Sequence, residues 1–451
     1  MERGLGQVRP PAAPPPAWLA RATLAALLAA LAGFLVWQYL MPPAFESSFL
    51  LDHAGLDQFR DLLGIGHDGL AFGPYRAGFR ALLVAVWATY FFFVTAGAFG
   101  GALPSRRASV ALVVAVALVA ALVWPPSFSC DLYGYVGYGR MQVLYDLNPY
   151  LTSQRALKQL GDPTGPFLVW NIGSPYGPLW TLLSSAVVWL SRGAPLLAQI
   201  VVMKLIGGAA VVAAALLGAR VAERLAPGRG VLTLLAIGCN PLFVIEGAGN
   251  AHNDFVMMAF VVAALDAALD GRTRRALLWA GLGGAVKFLP FALVPWIVLR
   301  DLRARPRPGP VLARDLLGHA VTAALPAVLA FLPYWTGRST LHGLEMRWTS
   351  SQTTAANAHL ALGIEAGTLL AVYLAATAWS ARGEAARLLA AWMGVAAIVF
   401  LVAAGLWLPW YLAWIWIVAL TSWDRRSVVV SHLVFCLAVA LTLRYSVPSG
   451  G

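Results

Sequence analysis

Cysteine is almost missing. Cys130, Cys239 and Cys436 are the only three in 451 residues, too few and too scattered for a disulfide framework or a zinc site. Lysine is as scarce: Lys158, Lys204 and Lys287 are the whole set. Charge of either sign is thin, at 12% of the chain, against about 25% in a soluble globular domain. No heptad pattern, no internal repeat and no polar stretch long enough for a soluble domain occurs. Together these absences exclude a water-soluble enzyme, a coiled coil and a repeat array. Chemistry, if the chain has any, sits in a membrane or at its surface.

What fills the chain is apolar. Hydrophobic residues make up 60% of it, mean hydropathy is +0.72, and runs of roughly 20 residues, the length that crosses a bilayer, recur throughout. Short alternating segments, the mark of a barrel, are absent. The fold class is therefore all-α: a polytopic helical membrane protein with about 11–13 membrane segments, half-helices included. The net charge of +12 does not indicate a nucleic-acid partner. It is arginine confined to short loops, the positive-inside pattern; the partner it implies is membrane lipid.

The charged loops order the spans. Residues 1–17, Pro-rich and basic, read as a flexible cytoplasmic tail. Residues 18–107 hold two spans around an acidic outer loop at 42–79, and 108–444 form the core. "PSRRAS" is placed inside, so 108–126 runs outward and Asp131 falls on the outer face. The outer loop 127–175 is the longest polar insertion. Parity leaves 177–191 as a half-helix and 277–299 as a hairpin broken near Lys287-Phe288-Leu289-Pro290, where the proline ends one half. Broken helices at membrane depth survive only around a cavity or inside protein.

Six stretches could carry chemistry. "CDLYGYVGYGR" sets Asp131 beside Tyr133, Tyr135 and Arg140; tyrosines pack sugar faces, but an interfacial aromatic belt also explains them. Its glycines mimic a dinucleotide loop without the βαβ unit that motif needs. "SPYGPLW", with Tyr176, opens the half-helix. "NPLFVIEGAGNAHND" gathers Glu246, His252, Asn253 and Asp254. There Gly247 and Gly249 permit a tight turn, and Asn253 or Asp254 is a candidate helix cap. Lys287, at the hairpin break, is costly in lipid and calls for a phosphate, a carboxylate or an interfacial position. Arg338 and Arg347, in an outer loop, match a phosphate or anchor the surface. "LWLPWYLAWIW" reads more readily as a lipid-facing belt than as a site. A divalent cation shared by Asp131, His252 and Asp254 remains open, since the spacing fixes no ligand set.

In their order, "CDLYGYVGYGRMQVLYDLNPY", "SPYGPLW", "NPLFVIEGAGNAHND", "VKFLP" and "LPWYLAW" resemble bacterial polyprenol-phosphate-mannose-dependent mannosyltransferases of the GT-C superfamily. The resemblance spans roughly residues 108–425. It implies a GT-C-like fold and transfer of a hexose, mannose first, from a polyprenol-phosphate donor to an extracytoplasmic glycan or glycolipid acceptor. The family's acidic residue of the first large outer loop matches Asp131, which implies a general base and an inverting reaction. His252, Asn253 and Asp254 match the "HND" element that shapes substrate binding. The two N-terminal spans and the loop 42–79 depart from the pattern. Two other classes stay in view. A flippase of lipid-linked sugars also uses midplane charges and broken helices, but predicts inverted pseudo-symmetry. A non-catalytic assembly partner predicts that Asp131 and Asp254 can be replaced together without consequence.

Overall fold

The computed structural model describes residues 16–41, 57, 60–64, 66, 69–126, 129–168, 172–306, 308–340, 384–402 and 408–445. Every regular element among them is helical. The tail 1–15, most of the loop 42–79, Arg347 and the expected span 366–380 lie outside the described residues.

Among the described residues, six helices are long and apolar enough to cross a membrane. They are α1 (Leu19–Gln38), α2 (Phe72–Ala98), α3 (Arg106–Val123), α6 (Leu196–Leu225), α11 (Gly309–Phe331) and α14 (Arg425–Tyr445). Between them run α4 (Asp131–Tyr145), α5 (Pro178–Leu190), α7 (Gly230–Gly238), α8 (Asn253–Leu269), α9 (Thr273–Val286), α10 (Val294–Ala304), α12 (Glu384–Val402) and α13 (Ala413–Ser422).

α6 is the central post. It packs against α3, α7, α8 and α13. Its inner face is a seam of small residues, with Gly207, Gly208, Ala210, Ala214, Ala215 and Gly218 spaced along it. In lipid, where apolar helices gain little by hiding from tails, such seams let backbones close up and collect dispersion contacts. Gly207 shows the need: a Cβ there would lie 2.2 Å from the Gly247 carbonyl oxygen. At the other extreme, α11 shows Leu317, Val321, Leu325, Val328 and Leu329 on its exposed side, the composition of a lipid-facing stripe.

The N-terminal pair α1–α2 packs on itself and is tied to the core. Trp87 Nε1 donates to Thr442 Oγ1 of α14 at 3.0 Å, and the Tyr90 hydroxyl to the Ala236 carbonyl of α7 at 2.8 Å. From the loop 42–79, the described Arg60 reaches back to the Tyr39 and Met41 carbonyls beyond the end of α1 at 2.8 and 2.9 Å. A buried cation at a helix C-terminus answers carbonyls that have no intrahelical donor.

Three breaks build the interior. α7 stops at Asn240-Pro241, where proline supplies no N–H. The chain resumes as a π-helical turn, Phe243–Gly249, bent by 64°. α9 stops at Lys287, whose backbone is extended, and a 3-10 turn at Leu289–Leu293 leads into α10. Thr273, at the start of α9, donates to Asp301 near the end of α10 at 2.7 Å, so the two helices double back as a hairpin. α5 is a half-helix of 13 residues. It runs parallel to α4: Tyr135 meets Trp180, and Gly139 passes the Ser184 backbone so closely that a Cβ would sit 2.4 Å from its carbonyl oxygen. Gly139 of the opening motif thus serves helix packing, while Gly134 and Gly137 face Gln154 and Leu157.

Candidate functional site

α3 ends where Pro125 and Pro126 forbid another turn. The buried Lys204 amine of α6 donates to the Trp124 carbonyl there, answering an end-of-helix acceptor. Five residues on, the Ser129 hydroxyl accepts the Asp131 N–H at 3.1 Å and α4 begins. Asp131 therefore opens a buried helix instead of lying in an irregular loop. Its carboxylate stands at the positive end of that helix, where a negative charge is favoured.

The second arm comes from the π-helical turn. Glu246 lies in it, and Asn250 Nδ2 donates to Glu246 Oε2 at 2.9 Å. The chain then reverses at Ala251, whose φ of 54° is left-handed, a conformation that costs a non-glycine residue about 1–2 kcal/mol. The tight turn expected at Gly247 and Gly249 is made by Ala251. Those two glycines instead admit close neighbours: a Cβ on Gly247 would meet Val211 and Phe255, and one on Gly249 would meet Trp124. His252 follows as the N-cap of α8 and makes no side-chain cap bond. The capping role expected of Asn253 or Asp254 does not occur either. They are the first two helical residues, and Asp254 is claimed by side chains from elsewhere in the fold.

These arms meet. His252 Nδ1 lies 3.6 Å from Asp131 Oδ2, and His252 Nε2 lies 3.3 Å from Glu246 Oε2. Lys287 Nζ donates to Asp254 Oδ1 at 2.7 Å. The Tyr176 hydroxyl faces Asp131. The Tyr135 hydroxyl accepts the Asn253 N–H at 3.5 Å, and its ring packs edge-on against Tyr176 and Trp180. Exposure separates the roles: the Asp131 and Lys287 side chains are 18% and 21% exposed, whereas His252, Asp254 and Glu246 show 0%, 1% and 4%. A substrate can touch the first two; the others stand behind them.

Burial pushes the Asp131 carboxyl above the usual carboxylate range. His252 and then Lys287 pull it down, Asp254 pushes it up, Tyr176 pulls it down, and burial prevails. A carboxylate held that way is a stronger base than one in water.

Three expected residues sit elsewhere. Tyr133 is fully buried and stacks on Phe167 at 4.0 Å, pinning the Gly165–Phe167 turn to α4. Arg140 lies nine residues along α4, about 13 Å from Asp131 by helical rise. It pairs with Asp162 at 2.8 Å and donates to Gln199 Oε1 at 3.1 Å. Arg338 is exposed, beyond the end of α11.

The belt reading of "LWLPWYLAWIW" is corrected. Pro409–Leu412 forms a 3-10 turn that leads into α13, and its aromatics wall the site. Trp410 stacks on His252, with centroids 3.8 Å apart and planes at 16°. Trp414 Nε1 donates to Asp254 Oδ1 at 2.6 Å. The Lys287 ammonium lies 4.6 Å from the Tyr411 ring centre and 5.1 Å from that of Trp414, within reach of a cation–π attraction. The missed signal was spacing: residues 410, 411 and 414 share one helical face after a proline, and a buried indole N–H needs an acceptor. No local pattern points to Asp162, the partner of Arg140. Among the described residues, no group of three or more His, Cys, Asp or Glu side chains is placed to hold a metal ion.

Comparison with known proteins places this geometry. A family model described as "Alpha-(1->6)-mannopyranosyltransferase, N-terminal domain" matches residues 66–303, more than half of the chain. That stretch contains Asp131, Glu246, His252, Asp254 and Lys287 but not α13. Alpha-(1->6)-mannopyranosyltransferase A of Mycobacterium tuberculosis is 29% identical over 327 residues, 64% of this chain and 60% of the relative. Alpha-(1->6)-mannopyranosyltransferase B of Corynebacterium glutamicum is 24% identical over 378 residues, 71% of this chain and 61% of the relative. The chain thus spans about three fifths of the length of the curated relatives it matches. No solved structure matches. By the extent of the family match, this multi-pass membrane chain belongs to the alpha-(1->6)-mannopyranosyltransferase family.

Proposed function

We propose that the chain transfers a mannosyl residue from a polyprenol-phosphate donor to an extracytoplasmic glycan or glycolipid acceptor, with inversion, and that Asp131 is the general base. One observation carries the reading. A partly open carboxylate stands at a helix start, backed by a buried imidazole, with a partly open ammonium in the same cluster. The names of the relatives supply the sugar and the linkage. The arginine bias of the loops supports the outer side, and the apolar walls suit a donor carried on a lipid.

The acceptor hydroxyl, on C6 of a hexose if the linkage follows the relatives, gives its proton to Asp131. Its oxygen attacks the anomeric carbon from the face opposite the phosphate. The bond from that carbon to the phosphate oxygen breaks, and its electron pair leaves with the phosphate. A positioned carboxylate contributes roughly a hundred- to ten-thousand-fold to such a step. Lys287, the partly open cation of the cluster, is the candidate to steady the departing charge. Arg338 is a more remote candidate, and Arg347 falls outside the described residues. Tyr176, partly exposed, lines the approach with a face and hydroxyl suited to a sugar, and the fully buried Tyr135 packs behind it.

The test is donor dependence. Membranes containing the chain, freed of endogenous lipid-linked sugar, should transfer label from polyprenol-phosphate mannose to an oligomannoside acceptor. Transfer from a nucleotide-linked mannose alone, with no polyprenol phosphate present, contradicts the donor assignment.

A further inference from the structure

His252 is the most confined polar side chain of the site. It is fully buried, flattened against Trp410, and fixed at its backbone by a hydrogen bond from its N–H to the Glu246 carbonyl at 3.0 Å. Neither ring nitrogen has a partner within hydrogen-bond geometry, yet each faces a carboxylate, at 3.6 and 3.3 Å. Glu246 is itself oriented by the Asn250 amide. Two buried nitrogens, each beside a carboxylate but outside hydrogen-bond geometry, one by distance and one by alignment, describe a set of bonds waiting to close. Catalytic contacts in ligand-free sites are commonly long and tighten when substrate binds.

This inference rests on the base assignment above. We propose that Glu246 and His252 are a positioning pair for Asp131: the imidazole, bearing a proton on each nitrogen, bridges the two carboxylates, grips Asp131 Oδ2 and leaves Oδ1 for the acceptor hydroxyl. Neither residue touches the sugar. Geometry favours the doubly protonated ring, because an ionised carboxylate only accepts hydrogen bonds and the ring has one on each side. The logic is that of a buried acid steering an imidazole, here with the imidazole steering a second acid.

The groups facing Asp131 fix the sign of the pH effect. They are His252 and Asp254 at the start of α8, Lys287 after α9, and Tyr176 before α5. Tyr135 of its own helix and Tyr411 before α13 complete the ring. Lys287 is shared with Asp254, whereas the imidazole lies directly between Asp131 and Glu246. Without the Glu246 charge, the second N–H loses its acceptor and the ring no longer brings a positive charge to Asp131. Asp131 then takes up its proton at a higher pH, and the active base is lost earlier as pH falls.

The test is the pH profile of kcat/KM for mannosyl transfer from polyprenol-phosphate mannose. Glu246→Gln should move the acid limb up by about one unit or more, a loss of at least tenfold per unit at a fixed pH on the limb, with activity regained toward alkaline pH. Glu246→Asp, which keeps the charge, should restore the original limb, and His252→Gln should move it as Glu246→Gln does. An unmoved limb, or a uniform loss at every pH with no rescue by Glu246→Asp, overturns the pair. Asp131→Asn separates the two claims. Full activity in that variant sinks the base itself, whereas an inactive Asp131→Asn with an unmoved Glu246→Gln limb sinks only the positioning pair.

Discussion

Asp131 and Asp162 are carboxylates flanking the same helix, and their surroundings send them in opposite directions. Burial alone would raise both. Around Asp162 it is outweighed by hydrogen bonds from the Thr164 hydroxyl and N–H, the Tyr145 hydroxyl and the Arg140 guanidinium, which hold it below the usual range. Asp131 has fewer donors and keeps an open edge. Asp162 is saturated and structural; Asp131 has capacity left for a ligand. Arg140→Ala should therefore act on the fold. It strands a carboxylate whose side chain is wholly inaccessible, and losing one partner of a buried ion pair costs about 3 kcal/mol or more. Thermal unfolding in detergent should show the loss. It should shrink as pH falls through the depressed Asp162 value, because a protonated Asp162 no longer needs the cation. The sequence marked Arg140 as a substrate ligand because it follows Asp131 in one motif. Helical rise and the distant Asp162, which no local pattern announces, put it elsewhere.

At the level of elements, the breaks organise the site. Those at Lys287 and at "SPYGPLW" were legible, since proline and an interior lysine mark them in one dimension. The π-helical turn was not. Glycines at 247 and 249 look like hinge residues, yet they are contact residues, and the left-handed position falls on Ala251, where nothing in the local sequence advertises it. α13 was misread for a related reason: a Trp-rich run looks alike whether it faces lipid or a buried carboxylate. The approach of α6 to the π-helical turn is the contact on which this arrangement depends. Gly207→Ala would drive a methyl group into the Gly247 backbone, and overpacking of that kind costs about 1–3 kcal/mol. Gly208→Ala meets its nearest neighbour at 3.3 Å and should cost less. Unfolding temperatures of the pair check the order. The transfer rate should fall more in Gly207→Ala than its stability loss explains, because Glu246 and His252 ride on the displaced turn.

For the molecule as a whole, composition alone identifies an all-helical membrane chain, since so apolar a sequence has few other ways to satisfy its backbone. Arginine placement adds an expected sidedness. The convergence of five chain segments on one carboxylate is a property of the fold, visible only when α4, α5, α8, the end of α9 and the approach to α13 are seen together. That convergence underlies the central claim: one carboxylate performs the chemistry and the rest of the cluster prepares it. The direct measurement is single-turnover mannosyl transfer from polyprenol-phosphate mannose by purified wild-type chain and Asp131→Asn, with matched unfolding temperatures and donor affinities. The account predicts a loss of at least about a hundredfold in the transfer step with donor binding retained. Transfer by Asp131→Asn within a few-fold of wild type would contradict it.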